Sequence, residues 1–445
     1  MLAAAGPIAR AHKSLVFCLC RNDAATVIGY LAALEAGHAV MLLDSAVSGD
    51  VLADLLARYR PEMVFASAAL KATAAAALVD GYRSLDLDWA ALAWERSDVR
   101  GERVHPDLGI LLPTSGSTGS PKFVRLTTQA VSSNAASIAT ALAIVPTDRA
   151  VSSLPLHYSY GLSVLNSHLA SGACIVLTDR GPLDQVFWDV IRQHRCTSFA
   201  GVPYSYQVLE RIGFDQFELP SLRTMTQAGG KLDDGRVGRF HRLMAARGGR
   251  FFVMYGQTEA TARIAVLPSD SLPAKLGSAG RAIAGGRLEI EVDGVSAEHA
   301  RVTGEIVYSG PNVMMGYATG RADLSRGDEM GGTLHTGDLG YLDEDGCLYI
   351  SGRTKRISKV SGYRVDLDEV EARLAPNGPT AVVGTDELIV AYCEYGDEGS
   401  LQRIRMELSH ALSLHYQAIQ IRRIDALPRT PSGKVDYAAL EARAR

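Results

Sequence analysis

The chain has 445 residues, of which 47% are hydrophobic and 21% are charged, and its formal net charge is −4. This length exceeds one ordinary hydrophobic core, so we expect a globular protein of two or more domains. The charge shows no basic cluster, which argues against nucleic acid as a partner, and no apolar run is long enough to predict a membrane span. The first residues lack the layout of a signal peptide and the six cysteines are scattered, so we expect a cytoplasmic protein.

The first hundred residues alternate between strand-like and helix-like runs. The predicted order is strand 15–20, helix 24–36, strand 39–43, helix 51–58 and strand 63–66. Such alternation is typical of a mainly parallel α/β sheet with right-handed crossovers. Strands predicted at 174–177 and 251–254 continue the pattern, so we expect a large N-terminal domain of mainly parallel sheets with flanking helices.

Residues 114–122 read Thr-Ser-Gly-Ser-Thr-Gly-Ser-Pro-Lys. Glycines let a backbone approach an anion, while hydroxyls, freed N–H groups and a lysine donate to phosphate oxygens. The candidate phosphate-binding residues are Thr114, Ser115, Gly116, Ser117, Thr118, Gly119 and Lys122. A strand predicted at 109–112 and a helix predicted at 130–143 flank the loop, an arrangement that binds phosphate. The spacing is not that of a Walker A loop, and the alternative is a flexible Ser/Gly linker.

The segment Tyr255-Gly-Gln-Thr-Glu-Ala follows the predicted strand 251–254. The end of such a strand is where α/β sheets place ligand-binding residues. Tyr255 offers a ring face for adenine, Thr258 a hydroxyl for phosphate, and Glu259 a carboxylate for Mg²⁺. Glu259 is alternatively an ordinary charge at a helix N-terminus.

After residue 284 the pattern becomes strand-rich, with strands predicted at 287–292 and 304–308, which indicates a β subdomain. His335-Thr-Gly-Asp338 and the segment from Gly346 to Arg353 then predict a strand–turn–strand. A carboxylate such as Asp338 suits a ribose diol, because it accepts two hydroxyl hydrogen bonds at once. Asp338 is alternatively a plain turn residue.

The C-terminal residues predict a small α+β domain, with a helix at 366–374, a strand at 387–393 and a helix at 401–414. A polar and basic stretch from Gly352 to Gly362 precedes it. We therefore place the boundary near Lys355, with a large domain at 1–354 and a small one at 355–445. The alternative is an ordinary surface loop.

Taken in order, these motifs resemble the signatures of the adenylate-forming superfamily, which includes acyl- and aryl-CoA synthetases, adenylation domains and luciferases. The resemblance extends over nearly the whole chain from about Ser14. It rests on the loop 114–122, Tyr255-Gly-x-Thr-Glu, Thr-Gly-Asp338, Gly-Arg353 and Pro428-Arg-Thr-Pro-Ser-Gly-Lys434. It departs from the family in a short N-terminus and a slightly short small domain.

The resemblance implies a role for each motif. Asp338 and Arg353 contact the ribose, and Lys355 is the hinge about which the small domain turns. Lys434 enters the active site in one orientation only, where its ammonium offsets charge at the carboxylate and the α-phosphate. Gly362 lies beside the tunnel for the thiol. The other nucleotide-binding residues implied are Gly229, Gly230, Lys231, Tyr255 and Gly256.

The segment Pro155-Leu-His-Tyr-Ser-Tyr-Gly matches the family's aromatic gate, with His157 at the gate position. Members that activate α-amino acids carry an aspartate at the next position, where this chain has Tyr158. A tyrosine cannot pair with an ammonium group as a carboxylate does, so an α-amino acid substrate is disfavoured. The candidate pocket wall consists of Tyr204, Tyr206, Gln227, Gly229, Gly230 and Met254.

We therefore expect an AMP-forming ligase that activates a carboxylic acid with ATP and Mg²⁺ and passes the acyl group to a thiol, with CoA as the expected acceptor. The alternative within the family is a stand-alone adenylation enzyme that loads a phosphopantetheine carrier protein or an amine. A different class is a non-catalytic nucleotide-binding or scaffold protein, and the joint retention of Glu259, Asp338 and Lys434 argues against it.

Overall fold

The computed structural model describes residues 2–67, 81–87, 91–96, 103–114, 122–353, 356–360, 363–385, 388–412, 414–430 and 433–444. They form two compact units. Unit one comprises the described parts of Met1–Thr114, Ser120–Arg287 and Ser309–Leu334, and unit two those of Leu288–Tyr308 and His335–Arg445. Lys355 lies outside the described residues, so the domain boundary placed there stays a prediction.

The first sheet of unit one has eight strands in the order β18-β7-β6-β2-β1-β3-β5-β4. They are β1 Leu15–Cys20, β2 Ala39–Asp44, β3 Met63–Ser67, β4 Tyr82–Leu85, β5 Ala91–Arg96, β6 Leu108–Pro113, β7 Phe123–Thr127 and β18 Gly316–Ala318. The central strands β3, β1, β2 and β6 pair in parallel, whereas the outer strands pair antiparallel with their neighbours. All six residues of β1 are buried, which suits a continuous apolar run in a parallel sheet.

The second sheet of unit one has seven strands in the order β14-β13-β12-β11-β10-β8-β9. They are β8 Arg149–Val151, β9 Cys174–Val176, β10 Ser198–Gly201, β11 Thr224–Gln227, β12 Arg250–Tyr255, β13 Ala265–Leu267 and β14 Arg281–Ala282. The first five in chain order pair in parallel, and β13 and β14 add an antiparallel edge.

Five of the α-helices described in unit one begin at a side-chain cap. Asp23 accepts from the Thr26 N–H at 2.9 Å, and Thr127 accepts from the Ala130 N–H at 2.8 Å, so each satisfies a backbone donor of a helix's first turn. The helices are Leu2–Ala5, Ala24–Glu35, Gly49–Tyr59, Thr128–Leu142, Ser159–Ala170, Gln185–Gln193, Pro203–Arg211 and Asp234–Ala246.

One local prediction is wrong. The loop 114–122 does not run directly into a helix, because the residues after it form strand β7, which pairs antiparallel with β6. The helix begins only at Thr128, after β7. The loop therefore joins two adjacent antiparallel strands, and no helix N-terminus follows it directly.

Unit two contains a five-stranded sheet in the order β16-β15-β17-β19-β20 and a smaller set of elements after it. The strands are β15 Arg287–Val292, β16 Val295–Ser296, β17 Gly304–Ser309, β19 Thr333–Leu342, β20 Leu348–Arg353, β21 Ile357–Val360, β22 Tyr363–Asp366, β23 Thr380–Gly384, β24 Ile389–Cys393 and β25 Ile419–Arg423. The helices are Leu367–Leu374, Glu398–Leu412 and Tyr437–Ala444. The β subdomain, the β19–β20 strand–turn–strand and the C-terminal α+β arrangement follow the sequence prediction.

The predicted fold class is confirmed: mainly parallel sheets with flanking helices, a strand-rich segment and a C-terminal α+β segment. Among the described residues no helix is both long and apolar enough to cross a membrane.

Candidate active site

Thr114 and Lys122 stand at the two ends of the loop that was predicted to bind phosphate. β6 and β7 bring them together, with Pro113 opposite Phe123, and the Thr114 N–H donates to the Lys122 carbonyl at 3.2 Å. The hydroxyls and glycines between them (Ser115, Gly116, Ser117, Thr118 and Gly119) lie outside the described residues. Their contact with phosphate stays a prediction.

Lys122 and Glu259, which belong to different motifs, approach the same tyrosine. Tyr317 lies on β18, whose pairing with β7 sets it opposite Val124. Its hydroxyl donates to Glu259 Oε1 at 2.9 Å, and Lys122 Nζ lies 6.0 Å from its ring centroid, within the usual range of a cation–π contact. Burial and the Glu259 charge raise the pKa of Tyr317, so its phenol stays protonated and donates.

The backbone around Glu259 is held by residues far away in the sequence. Met314 N–H donates to the Glu259 carbonyl at 2.9 Å. Asn312 Nδ2 donates to the carbonyls of Ala260 at 2.8 Å and Arg263 at 2.9 Å. The loop is therefore clamped on both sides of Ala260, and Glu259 is half-buried between them.

Two positions show how tightly this loop is folded. Thr261 adopts a φ of +64°, which is unusual for a β-branched residue, and its hydroxyl donates to the Asn312 carbonyl at 2.7 Å. At Gly256 an added Cβ would lie 1.8 Å from the Ala262 carbonyl oxygen. Only glycine therefore fits at that position of the Tyr-Gly-x-Thr-Glu motif.

The aromatic-gate segment meets the Glu259 loop through a pair of hydroxyls. Ser159 Oγ and Thr258 Oγ1 are hydrogen bonded at 3.1 Å. His157 Nε2 lies 3.6 Å from Asp44 Oδ2, and its Nδ1 has no hydrogen-bond partner within the described part of the chain. Burial lowers the pKa of His157, opposed by the Asp44 charge, so the neutral imidazole is favoured.

The segment Gly229–Gly230–Lys231 is shaped by its own neighbours. Gly229 has a φ of +82°, and Gln227 Nε2 donates to the Gly230 carbonyl at 2.6 Å. Lys231 is exposed. No hydrogen bond found in the described ranges joins this segment to Thr258 or Glu259, so its nucleotide contact stays a prediction.

Of the residues predicted to line the acid pocket, some line a cavity and others belong to the hydrophobic core. Tyr206 is fully buried and donates to the Thr226 carbonyl at 2.7 Å, so it belongs to the core. Met254 lines a small cavity. Tyr255, the predicted adenine platform, is buried at the end of β12, and its carbonyl accepts from the Ile264 N–H.

In unit two, Asp338 and Arg353 face each other across β19 and β20. Arg353 Nε lies 2.9 Å from Asp338 Oδ1, and Asp338 is buried while Arg353 is exposed. The Asp338 N–H donates to Thr336 Oγ1, whose hydroxyl donates to the Ile306 carbonyl. The two predicted ribose contacts therefore form an ion pair in which the arginine orients the carboxylate.

Lys434 is half-buried at the end of a loop that closes on itself. The Thr430 N–H donates to the Lys434 carbonyl, and the Gly433 N–H to the Thr430 carbonyl, both at 2.8 Å. Arg429 pairs with Val435 in an isolated β-bridge. Lys355 and Gly362, the predicted hinge and tunnel residues, lie outside the described residues.

Sequence reasoning missed three residues of this region: Tyr317, Asn312 and Arg263. Tyr317 and Asn312 lie about fifty residues downstream of the loop they support, and no local pattern points to that contact. Arg263 carried a readable signal, because it is a charged residue at the head of the apolar run Ile264–Leu267.

The parallel sheets and a ligand loop at the end of β12 define an α/β protein of the nucleotide-binding type. The sequence model of the AMP-binding enzymes matches residues 9–318. The chain belongs to this family of adenylate-forming enzymes.

Individual relatives differ in how much of their length is matched. A 2-succinylbenzoate–CoA ligase from Bacillus cereus is 31% identical over 297 residues, which cover 65% of this chain and 59% of that relative. An indoleacetate–CoA ligase from Aromatoleum aromaticum is 29% identical over 462 residues, covering 96% of this chain and 87% of that relative. The chain thus spans little more than half the length of the first.

Among solved structures, an amide bond synthetase from Marinactinospora thermotolerans matches the fold with a TM-score of 0.79 and 24% identity. The match covers 100% of this chain and 93% of that one. This likeness supports the fold assignment.

Proposed function

We propose that this protein is an AMP-forming acid–thiol ligase, which activates a carboxylic acid as its acyl-adenylate and transfers the acyl group to CoA. The observation that carries the proposal is the meeting of Lys122, Tyr317 and Glu259 in unit one. A cation, a phenol donor and a carboxylate therefore lie close together at the C-terminal end of a loop whose sequence is rich in hydroxyl residues and glycine. A polyphosphate substrate with its metal needs these groups.

The Glu259 carboxylate fits Mg²⁺. Mg²⁺ is usually held by one or two carboxylates together with substrate phosphates, and Glu259 is half-buried with Oε1 fixed by the Tyr317 hydroxyl. No group of three or more His, Cys, Asp or Glu side chains suited to a metal was found among the described residues. When bound, the metal supplies positive charge next to the phosphates.

In the first half-reaction the acid's carboxylate oxygen attacks the α-phosphorus of ATP, and the bond to pyrophosphate breaks. The difficulty is an anion approaching an anion. Lys122 and Lys434 offset that charge, Thr258 donates its hydroxyl to phosphate, and the buried Asp338, oriented by Arg353, accepts from the ribose hydroxyls. His157 closes the side of the acid pocket as a neutral ring.

In the second half-reaction a thiolate attacks the acyl carbonyl and AMP leaves. The proposal keeps Lys355 as the pivot between the two orientations and Gly362 beside the thiol path. CoA is favoured as the acceptor because both curated relatives described above are named as CoA ligases. The amide bond synthetase keeps an amine acceptor as the second candidate.

A direct test supplies ATP, Mg²⁺ and a panel of carboxylic acids and follows AMP release with CoA, a phosphopantetheine carrier protein or an amine. We expect acid-dependent AMP release that is fastest with CoA. The Glu259→Gln variant removes the charge and should be nearly inactive, while Glu298→Gln, at an exposed site in unit two, serves as the matched control. AMP release that no acid accelerates would rule the function out.

A further inference from the structure

A small cavity lies within unit one beside the candidate acid site. Helices Thr128–Leu142 and Ser159–Ala170 and strands β10, β11 and β12 supply most of its walls, with Val164 and Met254 as apolar members and Arg263 as the cation. Asp148 also lines the cavity, but its carboxylate is paired with Arg223 at 3.1 Å. The space open to the centre of a water-sized molecule is about 20 Å³, enough for one small group. The cavity can therefore receive the end of a molecule.

Arg263 is an unusual residue to find there, because it is 2% exposed and has no acidic partner among the described residues. Its Nε has no hydrogen-bond partner in the part of the chain that the structure describes, and its charge interacts with the phenols of Tyr158 and Tyr160. Its Cζ lies 4.8 Å from the Tyr160 ring centroid. Burial lowers the pKa of Arg263, yet a guanidinium remains a cation in proteins.

A buried cation without an anion is costly, and cation–π contact recovers only part of the lost hydration. The Tyr160 hydroxyl cannot become the missing anion, because it donates to the Thr226 carbonyl at 3.0 Å and burial raises its pKa to about 12. The cavity thus presents a positive charge that no carboxylate in the described residues balances, with one guanidinium donor, Nε, left without a partner there.

The position of Arg263 is fixed from its backbone. Its carbonyl accepts from Asn134 Nδ2 at 3.0 Å and from Asn312 Nδ2 at 2.9 Å. It lies four positions after Glu259 on the same loop. Ser159, at the start of the helix that lines the cavity, is hydrogen bonded to Thr258. Arg263 is therefore held by the same network of hydrogen bonds as the candidate catalytic residues Thr258 and Glu259.

We propose that Arg263 binds an anionic group at the far end of the acid, so that the preferred substrate is a dicarboxylic acid. This inference rests on the proposed function, since it assumes that the activated carboxylate sits near Thr258 and Glu259. The second carboxylate accepts two parallel N–H bonds from the guanidinium, and the spacer between the two carboxylates packs on Val164 and Met254. Arg263 is then a specificity-determining residue.

The opposing explanation is that Arg263 is structural and only packs on Tyr160. The two explanations differ in what an apolar replacement does. If the arginine is structural, Arg263→Met weakens folding and lowers the rate with every acid alike. If it binds substrate, the variant selectively loses the dicarboxylic acid and keeps or gains thermal stability, because an unpaired buried charge is removed.

The test compares pyrophosphate exchange for the dicarboxylic acids from malonate to suberate, each against the monocarboxylic acid of equal carbon number. We expect the parent to prefer at least one dicarboxylic acid by about 100-fold in kcat/KM. Arg263→Met should erase that preference chiefly through KM. Arg250→Met is the matched control, because Arg250 also stacks on an aromatic ring, with Cζ 5.3 Å from the Phe252 centroid, but does not line the cavity.

The outcomes separate this inference from the proposed function. Exchange with monocarboxylic acids alone overturns the inference and leaves the function standing. If no acid supports exchange, calorimetric titration of the protein with the same acids decides. Dicarboxylate binding that Arg263→Met abolishes supports the anion site without the activity, and absence of such binding overturns it. If Arg263→Met does not fold, the parent's preference between matched acids still decides.

Discussion

The loops that carry Glu259 and Lys434 obtain their hydrogen bonds from different parts of the chain. The Glu259 loop, in unit one, is held by Met314 and Asn312, about fifty residues downstream. The Lys434 loop, in unit two, is closed by bonds among residues 429–435. In the described residues, the first loop is held by hydrogen bonds from distant residues, and the second has backbone hydrogen bonds within itself.

This difference suits the two proposed roles. A group that orients a metal and phosphates gains from rigid support by the body of the unit. A lysine that acts in only one domain orientation requires a loop that keeps its geometry when its surroundings change. The base of the Lys434 loop is tied to unit two, since the Leu427 N–H donates to Glu394 Oε1 at 2.8 Å and the Tyr437 hydroxyl to Glu371 Oε1 at 2.6 Å.

The largest expected effect separates the half-reactions. Lys434→Ala should lower acyl-adenylate formation by about 100- to 1000-fold, because it removes a charge that acts in that transition state. Thioester formation from supplied acyl-adenylate should persist. Rapid-quench assays of each half-reaction measure both rates, with Lys434→Arg as the charge-retaining variant. Equal losses in both would mean that Lys434 is not confined to the first step.

The second largest effect is expected when the distant hydrogen bonds that hold the Glu259 loop are removed. Asn312→Ala leaves the Ala260 carbonyl without its donor and should cost about 2 kcal/mol of unfolding free energy, together with a loss of adenylation. Urea unfolding and pyrophosphate exchange measure the two. Gln402→Ala, at an exposed helix site in unit two, is the control, and an unchanged Asn312→Ala protein would show that the loop does not rely on this clamp.

A smaller effect is expected inside the Lys434 loop. Gly433 and Gly294 both have a φ of +79°, so alanine at either should cost about 1 kcal/mol through backbone strain. Only Gly433→Ala should also slow adenylation, because only that loop carries the lysine. Thermal unfolding and exchange rates test the pair. Matching activity losses in both variants would remove the argument that the loop shape matters.

The smallest expected effect is a pH dependence of unit one. His38 Nδ1 accepts from the Ser14 N–H, and its Nε2 faces the Ile8 carbonyl, so the ring is neutral, and burial lowers its pKa. The unfolded chain therefore takes up a proton before the folded one, and stability falls as pH drops below about 6.5.

Tryptophan fluorescence during urea unfolding, repeated at several pH values, measures this change in stability, since all three tryptophans precede residue 189. His38→Gln should reduce the slope between neutral and mildly acidic pH. An identical slope in parent and variant would exclude His38 as its source.

Much of the fold could be predicted because the residue pattern within each strand is enough to indicate that strand. The run Leu15–Cys20 is apolar throughout and forms β1 with those bounds. Arg287–Val292 alternates polar and apolar residues and forms β15 with the predicted bounds. The hairpin of β6 and β7 could not be predicted, because β7 is only five residues long and has the charged Arg125 at its centre, which is buried only through tertiary contacts. The contacts of Tyr317 and Asn312 depend on tertiary packing between distant segments, which no local spacing encodes.

Pyrophosphate exchange tests most directly whether this chain activates a carboxylic acid with ATP. The protein is incubated with ATP, Mg²⁺ and labelled pyrophosphate, with and without each acid. We expect label to enter ATP only when a suitable acid is present, and we expect Glu259→Gln to lose that exchange. Exchange that no acid stimulates, in a protein that still binds ATP, would contradict the proposed activity.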